Sequence, residues 1–160
     1  MSDRNSDQKS IIIRPARRED VPGIVRLLAD DPLGATRERN ENPLPQAYYD
    51  AFDAVEAQAG NTILVADHGG AVVGCLQLVF MPGLSHQGTL RAEIESVRVD
   101  KGLRGQKLGE RLIDHAIGLA RNAGCGMVQL TSNATRTDAR RFYERLGFVA
   151  SHVGMKLTLE

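Results

Sequence analysis

The sequence lacks the features with which most proteins hold nucleic acids or membranes. It has no tryptophan, and aromatic residues make up only 4% of its 160 residues, so platforms on which bases could stack are scarce. Twenty Lys and Arg residues are matched by twenty Asp and Glu residues, which leaves no basic excess. No apolar run approaches the roughly 20 residues that a membrane-spanning helix needs. We therefore expect neither a nucleic-acid partner nor a membrane.

Cysteine is also scarce, and its spacing suits neither a zinc site nor a disulfide framework. The two cysteines, Cys75 and Cys125, lie far apart in the chain, and His86 and His152 are isolated. We expect two reduced thiols that fill the interior, and no metal. The start of the chain is polar and has no apolar targeting segment, so the expected location is cytoplasmic.

Length and patterning predict one domain. A chain of 160 residues has the size of a single compact unit. Residues 1–9 are polar and show no periodicity, which predicts a flexible N-terminal tail. Residues 10–160 then form the domain, with no internal repeat and no linker.

Apolar periodicity predicts a mixed order of strands and helices. The predicted strands are Ile11–Ala16, Thr62–Ala66, Ala71–Phe80, Thr89–Val99, Met127–Thr131 and a last strand region, Phe148–Leu159. The predicted helices are one that begins with Val21 after an Asp20 cap, and then Ala47–Ala59, Gln106–Asn122 and Asp138–Leu146. The second and third strands form a hairpin, and Asp30–Gln46 is the longest irregular segment. An antiparallel run of strands flanked by helices belongs to the α+β class.

Between Val97 and Gly109 a strand passes through a glycine-containing turn into a helix. The first turn of a helix has amides without intrahelical partners and a partial positive charge, so it can bind phosphate. Gly105 and Gly109 would let a pyrophosphate approach the backbone, and Arg104 and Lys107 add positive charge. From the residues alone, an ordinary strand-to-helix connection explains the segment equally well. The pattern is neither G-x-G-x-x-G nor G-x-x-x-x-G-K-[ST], which argues against Rossmann and P-loop sites.

A second informative segment is Asn133–Phe148, with the sequence NATRTDARRFYERLGF. Thr137 is suited to cap a helix that ends at Gly147. From helical spacing alone, Phe142 and Tyr143 in the middle of this helix are best explained as core residues.

Together the two segments resemble the GNAT superfamily of acetyl-CoA-dependent N-acetyltransferases. The resemblance spans Ile11–Leu159 and rests on V-R-V followed by R-G-x-x-x-G, and on N-x(8)-F-Y-E-x-L-G-F. It implies a GNAT fold, with a mixed, mostly antiparallel central sheet flanked by helices. It also implies acetyl-CoA as the cosubstrate. The cofactor-binding residues that it implies are Val97, Arg98, Val99, Arg104, Gly105, Gln106, Lys107, Leu108, Gly109, Asn133, Arg140 and Tyr143.

The resemblance assigns these residues to parts of the cofactor. The backbone at Val97 and Val99 would pair with the pantetheine arm, which Asn133 would also meet, and the segment Arg104–Gly109 would hold the pyrophosphate. Lys107 stands where the family has its inner glycine. A backbone amide survives that change, so only the closeness of the phosphate to the helix is put in question.

The resemblance also implies three catalytic residues. Tyr143 matches the family tyrosine that protonates the departing thiolate. Glu93 and Glu95 have the same parity on one strand, and either carboxylate could accept the proton of the amine, directly or through water. Glu93 is slightly favoured, although both could be merely solvated. A backbone amide at Val97 or Arg98 would meet the oxyanion.

The expected function is transfer of the acetyl group of acetyl-CoA to a primary amine of a small molecule, by direct attack in a ternary complex. Alternatives are acetylation of a protein or peptide, and a CoA-binding regulator without turnover. A weaker likeness to aminoalkylphosphonate acetyltransferases leaves Arg136, Arg140 and Arg141 as candidates for an anionic substrate or for the CoA phosphates. The family often dimerises through its last strands, and the spacing leaves a homodimer open.

Overall fold

The structure, a computed structural model, describes residues 10–160 of the chain. Five strands form one sheet in the order β1-β2-β3-β4-β5. They are β1 Ile11–Pro15, β2 Asn61–His68, β3 Ala71–Met81, β4 Arg91–Val99 and β5 Met127–Leu130. The first three pairings are antiparallel and the β4–β5 pairing is parallel. The predicted α+β class and the mixed, mostly antiparallel sheet are confirmed; the predicted tail, residues 1–9, lies outside the described residues.

Helices cover both faces of the sheet. They are α1 Val21–Ala29, α2 Gly34–Arg37, α3 Gln46–Ala57, α4 Leu108–Asn122 and α5 Thr137–Arg145, with short 3-10 turns at Arg18–Asp20 and Lys101–Leu103 and a tight turn at Ser85–Gly88. On one face, Val25 of α1 and Phe52 of α3 share a core with Cys75 of β3. On the other, Leu112 of α4 shares a core with Ile94 of β4, and α5 packs beside it. The sheet therefore separates two apolar layers.

Three predicted helix starts differ from the structure, of which α3 differs by a single residue, since it begins at Gln46 and not at Ala47. The fourth helix begins at Leu108 and not at Gln106, because Gly105 and Lys107 have positive φ angles of 80° and 63°, which a right-handed helix does not accommodate. The last helix begins at Thr137 itself, so Thr137 does not cap it. Asp20 gives α1 no side-chain cap either, since its carboxylate has other partners.

The predicted last strand, Phe148–Leu159, is wrong for the single chain. Residues 149–160, which we call the C-terminal arm, form no strand, and among the described residues their one backbone–backbone hydrogen bond joins the Ser151 amide to the Val149 carbonyl at 2.9 Å. An extended segment becomes a strand only beside another strand, and in the single chain the arm does not pair with the open edge of β5.

A buried ion cluster joins β1 to the start of α1. The Arg14 guanidinium donates to both oxygens of Asp20, at 2.7 and 3.0 Å, and to Asp67 at 3.0 Å. The Arg17 amide also donates to Asp20, at 2.7 Å. These hydrogen bonds outweigh the burial of Asp20 and hold the pKa of its carboxyl below its usual value.

We predict that Asp20→Asn lowers the free energy of unfolding by about 2–3 kcal/mol, because it removes one charge from a buried pair. A carboxyl with a lowered pKa stabilises the fold above its unfolded pKa of about 3.9, and that stability is lost as the pH falls through the lower folded value. Urea unfolding at pH 3 and pH 7 should therefore show that Asp20→Asn loses less unfolding free energy, relative to the parent protein, at pH 3 than at pH 7. The control is Asp53→Asn, whose pairing with Arg18 is exposed; an equal loss in both variants would contradict the prediction.

Candidate active site

The pairing of β4 with β5 stops halfway along β4. It joins Arg91–Ile94 to Met127–Leu130, whereas β4 itself continues to Val99. Ser96 has a φ angle of 54°, and the register of β3 against β4 shifts at this point, which is a β-bulge. From Glu95 onward, the side of β4 that faces β5 has no strand partner among residues 10–160. The two strands thus leave a cleft with a free backbone edge.

The backbone amides of β4 divide between β3 and this cleft. Arg98 pairs with Cys75 of β3, and the Asp100 amide donates to the Val73 carbonyl at 2.9 Å. Because alternate amides of a strand point the same way, the Arg98 amide also points toward β3. The amides of Val97 and Val99 point toward the cleft. The geometry therefore favours Val97 over Arg98 as a donor to a group in the cleft.

The turn before α4 ends at the same cleft. Gly105 has a φ of 80° and open space where a side chain would be, and Lys107 has a φ of 63° directly before the helix. The Leu108 side chain is buried in the core, so only its backbone can face a ligand. A Cβ atom at Gly109 would lie 3.4 Å from Cζ of Phe142. The small size of Gly109 thus serves the close packing of α4 on α5, a reason that the sequence did not suggest.

The other predicted cofactor residues lie near the surface. Asn133 follows β5, and its side-chain oxygen accepts hydrogen bonds from the Thr135 amide at 3.0 Å and the Thr135 hydroxyl at 2.7 Å. Arg140 lies on the exposed side of α5 and donates to Glu144 at 2.9 Å. Asn133 is therefore fixed in an exposed turn after β5, whereas Arg140 belongs to an ordinary surface ion pair.

Glu93 and Glu95 share one face of β4, as their parity predicts, because the bulge lies beyond them. This face is opposite α4, under which the intervening Ile94 is buried. Partial desolvation and the neighbouring Glu93 raise the pKa of Glu95, and Lys156 of the C-terminal arm lowers it to a smaller extent. The side-chain nitrogen Nε2 of Gln129 lies 3.5 Å from Oε2 of Glu93. The two carboxylates form a close pair at the start of the cleft.

Tyr143 lies on α5, between two aromatic rings. Its ring centre is 5.1 Å from that of Phe142 and 5.9 Å from that of Phe148, both edge-on. Desolvation raises the pKa of the phenol, and the positive charges of Arg136 and Arg98 oppose that rise. The phenol therefore stays protonated near neutral pH and can donate a proton.

Ion pairs between the segment after α1 and the end of β4 were not predicted. Nε of Arg98 lies 3.0 Å from Asp31, and Nζ of Lys101 lies 3.1 Å from Asp30. Asp31 also accepts from the Gly34 amide at 2.5 Å, and together these contacts hold its pKa low despite desolvation. The partners lie far apart in sequence and share no motif, so spacing gave no signal for them. They attach the irregular segment after α1 to the strand that lines the cleft.

Neither cysteine is suited to be a nucleophile. Cys75 is buried, and desolvation raises the pKa of its thiol to about 12. Desolvation also raises the pKa of the Cys125 thiol. Within residues 10–160 no three His, Cys, Asp or Glu side chains are grouped so that they could hold a metal ion. In the same part of the chain, no helix combines the length and apolarity needed to cross a membrane.

Comparisons with known proteins point to one family. The model of the acetyltransferase (GNAT) family matches residues 24–148. The aminoalkylphosphonate N-acetyltransferase of Salmonella typhimurium is 34% identical over 143 residues, which cover 85% of this chain and 92% of that protein. The glucosamine 6-phosphate N-acetyltransferase of Trypanosoma brucei brucei is 37% identical over 90 residues, 56% of this chain and 59% of that protein. A solved structure described as a transcriptional regulator from Bacillus halodurans superposes with a TM-score of 0.91 at 46% identity, covering 93% of this chain and 99% of the other.

We predict that Lys107→Gly raises the free energy of unfolding by about 1 kcal/mol. A left-handed backbone costs a non-glycine residue roughly 1–2 kcal/mol, and glycine avoids this cost. Part of the gain is offset because glycine loses more backbone entropy on folding. Lys107→Ala is the matched control: it removes the same side chain and keeps the strain, so its stability should stay within about 0.5 kcal/mol of the parent. Chemical denaturation of both variants tests this. Equal stabilities of the two variants would show that the left-handed backbone carries no cost.

Proposed function

Because the chain belongs to the GNAT family of acetyltransferases, we propose that it transfers the acetyl group of acetyl-CoA to the primary amine of a small molecule, by direct attack in a ternary complex. One observation carries this proposal: the pairing of β4 with β5 ends at Ile94 and Leu130, and the cleft that opens there lies beside two carboxylates, while Arg98 of β4 is close enough to Tyr143 to influence the pKa of its phenol. The binding edge for one substrate and the groups for proton transfer thus lie together.

The residues present fit the cofactor that the family generally uses. A pantetheine arm is an extended chain with two amide groups, and the free edge of β4 offers the Val97 and Val99 amides to such a chain. At the end of that edge, the unpaired first-turn amides of α4 and the nearby Arg104 and Lys107 suit a pyrophosphate. The open space at Gly105 leaves room for it. Acetyl-CoA would supply an activated thioester.

The incoming amine must lose a proton before or during its attack on the thioester carbonyl. Two features support Glu95 rather than Glu93 as the base. Glu95 is the first β4 residue beyond the paired segment, and partial desolvation together with Glu93 raises its pKa, so it accepts a proton more readily than an ordinary carboxylate. Glu93, beside Gln129, helps to keep that pKa high.

Two further groups would act on the thioester as the amine attacks. The Val97 amide points into the cleft and would donate to the carbonyl oxygen as negative charge develops on it. Tyr143 would protonate the sulfur of the departing CoA, and the charges of Arg98 and Arg136 would favour the resulting phenolate. Direct attack is supported by the two cysteines, whose raised pKa values make them poor nucleophiles.

The charges around the cleft support an acceptor that carries a negatively charged group as well as its amine. The carboxylate pair suits a cationic amine, whereas Arg136 supplies positive charge on the side of Tyr143, since Arg98 is already paired with Asp31. Two relatives act on molecules of this kind, as their names state: an aminoalkylphosphonate and glucosamine 6-phosphate. We therefore take an amine with a phosphonate or phosphate group as the first acceptor class to test.

We predict that Tyr143→Phe lowers kcat by about 10²–10⁴-fold, since the ring contacts remain and only the acid is lost. The measurement is thiol release from acetyl-CoA with aminoalkylphosphonates, amino sugar phosphates, amino acids, polyamines and peptides as acceptors. The affinity for CoA, measured by calorimetry, should change less than threefold. Unchanged kcat in the variant would remove Tyr143 from the mechanism, and activity on peptides alone would favour a protein acceptor.

We predict that Glu95→Gln lowers kcat/KM by about 100-fold or more, and that Glu93→Gln instead moves the acid limb of the pH profile to lower pH. Activity falls as the pH drops through the raised pKa of Glu95, and removal of Glu93 takes away one cause of that rise. The exposed Glu19→Gln is the control and should leave the profile unchanged. If the acid limb of the pH profile lies at the same pH in Glu93→Gln as in the parent, the two carboxylates do not interact.

A second candidate is a CoA-binding regulator without turnover, which the description of the Bacillus halodurans relative favours. Such a protein would need the β4 edge and the turn before α4, but not the carboxylate pair or Tyr143. Calorimetric CoA binding without thiol release on the whole acceptor panel would support it over the enzyme.

A further inference from the structure

One face of β4 and β5, the face opposite α4, carries a row of polar side chains. β4 contributes Arg91, Glu93 and Glu95, which share this face because their positions are two apart. β5 contributes Gln129, which is the register partner of Glu93 in the parallel pairing. Neighbouring strands lie about 4.8 Å apart, so the side chains of Glu93 and Gln129 are within reach of each other.

The Gln129 side chain bridges two charged groups of β4. Nη1 of Arg91 donates to Oε1 of Gln129 at 3.2 Å, and Nε2 of Gln129 lies 3.5 Å from Oε2 of Glu93. A guanidinium has only donors and an ionised carboxylate has only acceptors. The amide oxygen must therefore face Arg91 and the amide nitrogen must face Glu93, so the two neighbours fix the orientation of Gln129.

The link between Arg91 and Glu93 is a neutral amide and not an ion pair. Within residues 10–160, neither of these two side chains takes part in a salt bridge. A guanidinium in direct contact with Glu93 would fix this carboxylate but would also balance its negative charge. A neutral amide fixes the carboxylate through a hydrogen bond and leaves its charge to act on Glu95.

We propose that Gln129 is a positioning residue, which is itself held by Arg91 and keeps the Glu93 carboxylate beside Glu95. Its part in catalysis rests on the proposed function, in which Glu95 accepts the proton of the amine. A glutamate side chain loses rotamer freedom when it is held in one place. Without Gln129, the Glu93 carboxylate would turn into solvent, away from the like charge of Glu95. One cause of the raised pKa of Glu95 would then weaken.

Two other polar side chains lie near Glu95, and neither fixes the place of Glu93. Lys156 of the C-terminal arm lowers the pKa of Glu95, so its charge opposes the effect of Glu93. Gln77 of β3 is the register partner of Glu95, but its amide donates to Asn61 at 2.8 Å. The contact from β5 therefore accounts for the position of Glu93.

The test follows the titration of the Glu95 carboxyl by carbon NMR of protein with labelled glutamate, in which Glu95→Gln identifies the signal. Gln129→Met keeps the length of the side chain and removes its hydrogen bonds. We expect it to move the Glu95 midpoint to lower pH by about 0.5 pH unit. Gln129→Asn, whose amide is one methylene too short to bridge, should act alike and carries the test if the first variant does not fold. The matched control is Gln46→Met, which removes an exposed amide that donates to Asp50 at 3.1 Å and should leave the midpoint in place.

A double-variant cycle separates a positioning role from a merely structural one. In protein that already carries Glu93→Gln, Gln129→Met should not move the Glu95 midpoint any further, because the amide acts through Glu93. An equal movement with and without Glu93 would overturn the proposal. So would a midpoint that stays in place or rises in both Gln129 variants, or a movement of the same size in Gln46→Met.

The pH profile of activity is the second readout. In Gln129→Met the acid limb of kcat/KM should follow the Glu95 midpoint to lower pH, and an acid limb that does not follow it would overturn the proposal. The titration itself requires no acetyl transfer. A midpoint that moves as expected, in protein that releases no thiol from acetyl-CoA with any acceptor, would support the positioning of Glu93 by Gln129 and overturn the proposed function instead.

Discussion

The candidate active site depends on where the hydrogen bonding between β4 and β5 ends. Four residues of each strand pair in parallel, and then the bulge at Ser96 turns β4 away. In a continuous sheet the Val97 and Val99 amides would be used by the neighbouring strand. Because the pairing ends, they are left for a ligand, and the carboxylate pair just before the bulge stands next to that free edge. One local irregularity thus leaves a free backbone edge with two carboxylates beside it, and the proposed acetyl transfer would use both.

Charge organises the rest of the site. Asp30 and Asp31 form ion pairs with Lys101 and Arg98, which attach the irregular segment after α1 to the end of β4. Arg98 thereby has two effects: its guanidinium balances Asp31, and its charge opposes the rise in the pKa of Tyr143.

Local patterns predicted the parts of the fold that depend on local chemistry. Apolar periodicity predicted the β2–β3 hairpin and a helix over Gln106–Asn122, which is α4 with its start two residues early. Longer-range features could not be predicted this way. The Arg98–Asp31 pair joins distant segments that share no motif. The arm has the residue pattern of a strand, but a local pattern does not show whether a neighbouring strand exists, and in the single chain the arm pairs with none. The individual roles of Glu93, Glu95 and Tyr143 remain predictions.

The central claim is that the cleft holds both substrates at once and that the amine attacks the thioester directly. Initial rates of CoA release, with acetyl-CoA and an aminoalkylphosphonate varied against each other, test this claim most directly. The account predicts double-reciprocal lines that intersect, because both substrates must be bound before transfer. Parallel lines would contradict it, since they would indicate an acetylated enzyme formed before the amine binds.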